Sequence, residues 1–500
     1  MEKHLDPASN SAETEAVELH EGVEETPKSQ WQRLWPVIAC GAGLFSDGYL
    51  NGVIGSVSTI LEYWQPDAYD NSPAQTNVGS IAFAGQVVGQ LVFGYTSDRF
   101  SRKWSLLAST LILILFAILS TAAYGANGSL SGLFAALTAY RFFLGIGIGG
   151  EYPAGSVGCA ESTGELKAGT RNRWFILFTN VQIDLGFLVA AIVPMIVILI
   201  TTERNYETAW RVCLGLGIIP PLSLLYLRLK LSEPESFKRH SMVNTRTPYW
   251  LAIKFYGYRL LIVSVIWFIY DFSSYSFGIF SSRIVANLLG PESALWVSFG
   301  WNTLITFFYM PGAIAGSWLS DRIGPKKALA YAVLAQAIVG FIMAGCYGYL
   351  AQPQYVGGFV VVYGLFLSLG ELGPGDNIGL LASKTCATAI RGKYYGIAAA
   401  FGKIGAYIGT EVLGILYKQY KTSDPIKAGQ YPFFISSALC VLSAFLALFL
   451  LPDIGQDTID QEDARFRAYL EQNGFDTSKM GTVASVSRDQ LVVEQGAKEN

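Results

Sequence analysis

Twelve mostly apolar runs divide the chain, at 34–60, 76–97, 104–124, 130–157, 174–200, 209–230, 260–283, 295–319, 327–348, 355–381, 394–417 and 431–452. A helix needs about 20 such residues to cross a bilayer, at ~1.5 Å of rise each. The pattern predicts an all-α membrane protein with twelve transmembrane helices. Glycines and polar residues interrupt the second, seventh and tenth runs, where the helix ends are least defined.

Lys and Arg fall on alternate loops. One side holds Arg99, Arg102 and Lys103, then Lys167, Arg171 and Arg173, then Arg322, Lys326 and Lys327, then Lys384, Arg391 and Lys393. Arg228, Lys230, Lys238, Arg239, Arg246 and Lys254 add the central loop to that side, whereas the loops near 61–75, 124–130 and 348–354 carry none. The positive-inside rule then puts both termini and the central loop in the cytosol. The expected division is a disordered tail at 1–33, a six-helix half at 34–230, a central loop at 231–259, a second half at 260–452 and a polar, largely disordered tail at 453–500. The first 30 residues carry eight acids against Lys3 and Lys28, the wrong charge for a secretory leader.

The halves repeat. "GYTSDRFSRK" (94–103) returns as "GSWLSDRIGPKK" (316–327), with Asp98 and Asp321 223 positions apart. "GIGGEYPAG" (147–155) is echoed by "GELGPGD" (370–376), and Asp47 and Asp271 lie 224 apart. Three landmarks at nearly one offset indicate pseudo-symmetric halves, an architecture in which solute is held between repeats near the midplane.

Composition agrees: 51% of residues are hydrophobic, 15% are charged and mean hydropathy is +0.36. A soluble chain carries roughly 25% charged residues. A net charge of −3 gives no reason to expect nucleic acid. The six cysteines are scattered without CxxC spacing and are expected as free, packed thiols. The three histidines (His4, His20, His240) avoid the apolar runs, so neither metal ligation nor histidine catalysis is expected. With no nucleophile–base constellation, an enzyme is not expected.

Gly94-xxx-Asp98-Arg99-xx-Arg102-Lys103 resembles the signature between helices 2 and 3 of the major facilitator superfamily, and Arg141-xxx-Gly145-x-Gly147-x-Gly149-Gly150 resembles its helix 4 motif. The second-half copy departs from the first signature in having Ser317 where glycine is usual. Within the superfamily, nearly all of residues 34–452 is similar to fungal phosphate and glycerophosphodiester proton symporters. "GPGD" (373–376) and "GIFSS" (278–282) resemble the glycerophosphoinositol permease branch.

Ionisable groups in hydrocarbon cost at least about 2.5–3.5 kcal/mol each at the bilayer centre, so those present need partners or a cavity. Counting from helix ends places Asp47, Arg141, Asp271 and Lys403 near one depth, with Asp184, Glu151, Glu371, Asp376 and Glu411 at others. Asp47 and Arg141 are expected to pair. The pair is either a proton switch, as the resemblance to sugar–proton members implies, or a static tie between helices 1 and 4. Trp267, Asp271 and Tyr275 recur every fourth residue and so share a helix face; the resemblance makes that face a substrate site. Lys403, between Gly402 and Gly405, is the candidate oxyanion ligand, or else simply the counter-ion of Asp271. Glu151 and Tyr152 match the acid and tyrosine that phosphate symporters use for proton transfer and phosphate binding, with Glu where many have Asp. The glycines before them permit close helix packing and make no nucleotide loop, since no strand precedes them. In helix 10, Gly375 and Asp376 stand where phosphate symporters offer an asparagine. The glycine widens the site, and the carboxylate suits polyol hydroxyls or a choline ammonium. Asp98, Arg102 and Asp321 are expected to latch the inner gate.

These readings point to a proton-coupled importer of glycerophosphodiesters, such as glycerophosphoinositol or glycerophosphocholine, working by alternating access in the plasma membrane. An inorganic phosphate symporter and a non-transporting nutrient sensor are the alternatives. No cofactor is expected beyond protons as the coupling ion. The expected partners are a small anionic organic phosphate and the lipid bilayer, with the monomer as the working unit.

Overall fold

The computed structural model describes residues 29–481 except 70–71, 203, 291–292, 421–422 and 456–457. The expected disorder of residues 1–28 and 482–500 lies outside the described residues. Among the described residues, eleven helices are long and apolar enough to cross a membrane. They are α1 (Gln30–Trp64), α2 (Ala74–Arg99), α3 (Arg102–Thr121), α4 (Leu130–Thr163), α5 (Arg171–Thr201), α6 (Tyr206–Leu229), α7 (Tyr249–Leu289), α9 (Pro325–Gly345), α10 (Pro353–Lys384), α11 (Thr388–Tyr420) and α12 (Pro425–Leu450). The remaining run, α8, crosses as two consecutive pieces, Leu295–Phe307 and Tyr309–Ile323. Pro311 follows the break, and its ring nitrogen has nothing to donate to the carbonyl of Phe307.

Side chains such as Leu111, Leu115, Ile338, Phe445 and Phe449 are exposed on the outer faces, as lipid contact requires. Close approach between helices is bought with glycine. A Cβ on Gly145 would stand 2.1 Å from the Ala82 carbonyl oxygen, so α4 lies almost directly on α2.

The two repeated glycine–proline segments have the same local shape. Tyr152–Ser156 in α4 and Glu371–Gly375 in α10 each widen into a π turn. Pro153 and Pro374 each delete a bond to the carbonyl four residues back, and the helix swells to accommodate the loss.

Helix α1 begins at Gln30, inside the tail expected to be disordered over 1–33, and two boundaries differ further from expectation. First, α7 begins at Tyr249, well before 260, and runs for 41 residues. Second, the segment after Pro452 is not simply disordered: Thr458–Gln472 forms a helix, α13. Its buried Ile459, Phe466 and Leu470 fall at helical intervals, and Phe466 and Leu470 pack with Tyr256 and Tyr394. Glu462 of α13 accepts hydrogen bonds from Tyr256 (3.2 Å) and Arg259 (3.0 Å) on the early α7 extension, so each segment gives the other a reason to be helical.

Candidate functional site

The basic-loop end of the bundle is closed by contacts between the halves. Asp98, at the end of α2, accepts hydrogen bonds from the backbone nitrogens of Gly392 and Lys393 at 2.8 Å each, at the start of α11. Arg102 donates to Asp98 (2.6 Å) and to Glu161 (3.0 Å), and Arg391 reaches the same Glu161 from the other half at 3.0 Å. Asp321 sits equivalently in the last turn of α8 and accepts from the Arg173 backbone nitrogen at 3.3 Å, in the first turn of α5. Each half thus places a carboxylate on the N-terminus of the other half's fifth helix, where unsatisfied N–H groups and the helix dipole favour an anion.

Above this closure lies a cavity of about 60 Å³ between the halves. Tyr152, Trp267, Asp271, Tyr275, Asp376 and Lys403, the six residues expected to bind substrate, all line it. Lys403 Nζ is 3.2 Å from Asp271 Oδ2 and 2.5 Å from the Tyr275 hydroxyl, and it lies 5.0 Å from the centre of the Tyr152 ring. The Tyr152 hydroxyl donates to Asp47 Oδ2 at 2.5 Å and lies 3.3 Å from that of Tyr275. Asp47 also accepts from Asn51, which in turn accepts from Gln86 at 2.9 Å. A buried relay therefore runs from Asp47 through two phenols to the lysine and Asp271.

The glycines beside Lys403 do not open the helix towards a ligand. A Cβ on Gly402 would meet the Trp267 ring at 2.5 Å, and one on Gly405 the Phe268 carbonyl oxygen at 2.3 Å. They let α11 lie against α7, which is what brings Lys403 to Asp271.

The expected Asp47–Arg141 pair is not formed. Arg141 donates Nε to the Val78 carbonyl at 2.8 Å, while its buried Nη1 has no partner among the described residues. The reason is axial distance: Arg141 precedes Tyr152 by eleven residues of α4, about 16 Å at ~1.5 Å per residue, and Asp47 is bound to Tyr152. Glu151 also departs from expectation. It turns away from the cavity into a two-pronged ion pair with Arg228 (Nη1 to Oε1, 2.6 Å) and accepts from Ser109 at 2.9 Å. Arg228 also donates to Thr110, so it is a buried partner and not the loop charge that its place near the end of α6 suggests.

Asp376, one of the residues expected to bind substrate, belongs to a second charged group on the same cavity, whose other members sequence reasoning did not place there. Asn180 Nδ2 lies 3.0 Å from Asp376 Oδ1, 3.1 Å from Glu371 Oε2 and 3.3 Å from Asp184 Oδ2. Tyr270 donates to Glu371 Oε1 at 2.8 Å, and all five residues line the cavity with Lys403. Counting along a straight helix places Glu371 and Asp376 at another depth, whereas the π turn at Gly373-Pro374 brings both to the cavity. The i,i+4 spacing of Asn180 and Asp184 inside an apolar run was the available signal.

Two pseudo-symmetric six-helix halves around a buried, charged cavity define a secondary transporter of the major facilitator type. The chain belongs to the sugar (and other) transporter family, whose sequence profile matches residues 34–241 and 235–466. It is 48% identical over 467 residues to the glycerophosphocholine permease of Candida albicans, covering 93% of this chain and 87% of that one. It is 49% identical over 475 residues to the major glycerophosphoinositol permease of the same organism, covering 93% and 88%. Among solved structures, the proton:xylose symporter XylE bound to 6-bromo-6-deoxy-D-glucose superposes with a TM-score of 0.70 at 18% identity, covering 87% of this chain and 98% of that one. That likeness establishes the fold.

Proposed function

We propose that this chain is a proton-coupled importer of glycerophosphodiesters, acting as a monomer in the plasma membrane with both termini and the central loop in the cytosol. The carrying observation is Lys403, a buried ammonium held between Asp271 and Tyr275 on the wall of the cavity between the halves. In so little water an ammonium attracts a phosphodiester oxyanion far more strongly than it would in solution. The geometry supports exchange: the oxyanion takes Lys403 and the Tyr275 hydroxyl, and Asp271 loses its counter-ion. The permease relatives support the ester over bare phosphate; Gly375 does not itself widen the cavity, because the Glu371 carboxylate fills the space beside it.

Energetics ask for protons. A glycerophosphodiester with a neutral head group carries about one negative charge, and bringing it into an inside-negative cell costs ~2.3 kcal/mol per 100 mV; a zwitterionic choline ester carries no net charge, and for it the protons supply only the driving force for accumulation. Two protons per anion reverse the sign. Asp47, at the end of the phenol relay, is the first carrier. Asp271 becomes the second once substrate has taken its lysine, because an unpaired buried carboxylate is stabilised by protonation. Glu151, tied to Arg228, is left as a fixed anion. The contacts of Asp98, Arg102 and Asp321 then serve as the inner gate, broken when the halves rock.

The test is uptake into proteoliposomes. Accumulation should rise with an inward proton gradient and collapse with a protonophore, whereas gradient-insensitive uptake would remove coupling. Excess inorganic phosphate should compete poorly; abolition of uptake by phosphate but not by glycerophosphodiesters would make the protein a phosphate symporter.

A further inference from the structure

The phosphate-binding role of Lys403 leaves the other wall of the cavity unexplained. Asp184, Glu371 and Asp376 are all buried and crowd one amide nitrogen, that of Asn180, which has two hydrogens for three carboxylate oxygens. Asp376 is 1% exposed, and its Oδ2 has no hydrogen-bond partner among the described residues. These acids would repel a phosphodiester, so the arrangement is costly unless something positive arrives. Glycine makes room for them. A Cβ on Gly375 would lie 2.1 Å from Glu371 Oε2, and one on Gly316 2.0 Å from Asp376 Oδ2. The rings of Phe175, Phe187 and Tyr270 line the same cavity.

A surplus of buried carboxylate oxygens beside aromatic rings is the chemistry that receives a quaternary ammonium. Such a cation compensates charge without needing hydrogen-bond geometry, whereas a neutral polyol supplies donors but no charge. Resting on the glycerophosphodiester reading above, we propose that Asp184, Glu371 and Asp376 form a subsite for the cationic head group of a zwitterionic phosphodiester of the choline type. Lys403 and Tyr275, on the same cavity, hold the phosphate, so each charge of the substrate meets one of opposite sign. A choline ester is thereby preferred to an inositol ester.

The experiment uses the full chain in proteoliposomes under a fixed inward proton gradient. Uptake of radiolabelled glycerophosphocholine and glycerophosphoinositol is measured separately, and the ratio of their kcat/KM values is the readout. Asp376→Asn should shift that ratio towards the inositol ester by ~10-fold or more. Glu371→Gln, read in the same way, covers the case in which Asp376→Asn fails to fold. A third arm needs no variant: the 3,3-dimethylbutyl ester, in which carbon replaces the choline nitrogen, should inhibit wild-type glycerophosphoinositol uptake at least ~10-fold more weakly than glycerophosphocholine does. Parallel loss of both substrates in the variants, or equal inhibition by the charged and neutral esters, would overturn the subsite and leave these acids as structural or proton-holding groups. Failure of the underlying reading looks different: wild-type protein would take up neither ester, and both proposals would fall together.

Discussion

Lys403 lies 3.2 Å from the Asp271 carboxylate yet only 2.5 Å from the Tyr275 hydroxyl, so its ion pair is already shared with a neutral partner. A pair of this kind is easier to open than one that saturates both groups. The contrast is Glu151 with Arg228, where both carboxylate oxygens are engaged and Ser109 adds a further bond. Of these two buried ion pairs one is loosely and one tightly held, and of the two only the loose one faces the cavity.

Replacing Lys403 should separate binding from folding. Lys403→Ala removes the oxyanion ligand and also strands Asp271, a change that costs 3–5 kcal/mol when one partner of a buried pair is lost (about that range). The double variant Lys403→Ala/Asp271→Ala should recover thermal stability in detergent while still failing to bind substrate. Substrate-induced stabilisation by glycerophosphocholine that survives in the double variant would take Lys403 out of the site.

Asp47 does not line the cavity and meets it through the Tyr152 hydroxyl; on the proposed reading it carries a proton and does not hold substrate. Asp47→Asn keeps a side chain of the same size beside Tyr152 and Asn51. Substrate counterflow should persist, within about threefold of wild type, a shift of less than ~1 kcal/mol, while proton-driven accumulation is lost. Normal accumulation against a gradient by Asp47→Asn would require another carrier.

The Glu151–Arg228 pair should behave as a structural tie. Glu151→Gln leaves a buried guanidinium without its anion, and the apparent melting temperature of the solubilised protein should drop steeply, by the equivalent of about 3–5 kcal/mol. Joint replacement by Glu151→Gln and Arg228→Met should restore part of the loss. A Glu151→Gln protein of wild-type stability with selectively uncoupled transport would return Glu151 to the proton pathway.

Much of this was legible in the sequence because hydrocarbon is an exacting solvent. The apolar runs had to be helices, and the four-residue spacing of Trp267, Asp271 and Tyr275 had to put them on one face. What could not be read was geometry that depends on bends and on partners from other helices. Depth counted along straight helices misplaced Glu371 and Asp376, which lie at and just after the π turn at Gly373-Pro374. The same counting paired Arg141 with Asp47, although about three turns of α4 separate Arg141 from the Tyr152 that binds Asp47. Arg228 looked like an ordinary loop charge because nothing local announces that a side chain will turn inward. The helix at Thr458–Gln472 was hidden by its polar composition, although Ile459, Phe466 and Leu470 already marked an apolar stripe.

That helix gives the last prediction. Asp463 of α13 accepts hydrogen bonds from the Thr388 backbone nitrogen (2.6 Å) and hydroxyl (2.7 Å), and the same hydroxyl accepts from Arg391 at 2.7 Å. Arg391 is the residue that ties Glu161 of the opposite half, so α13 is wired to the closed end of the bundle. Phe466 and Leu470 of this helix also cover Cys386, whose thiol is buried and pushed well above its usual range by that burial. A raised thiol pKa leaves less thiolate at neutral pH, and thiolate is the reactive form. In a Cys346→Ser background, which removes the exposed cysteine, Cys386 should therefore resist maleimide across pH 7 to 8.5. Phe466→Ser should expose it, let its pKa relax towards about 8.5, and make labelling faster by ~10-fold or more with a rate that climbs with pH. Mass spectrometry of the labelled peptide gives the measurement. If Cys386 stays unreactive after Phe466→Ser while the protein remains folded, the helix is not the cover that protects this end of the transporter.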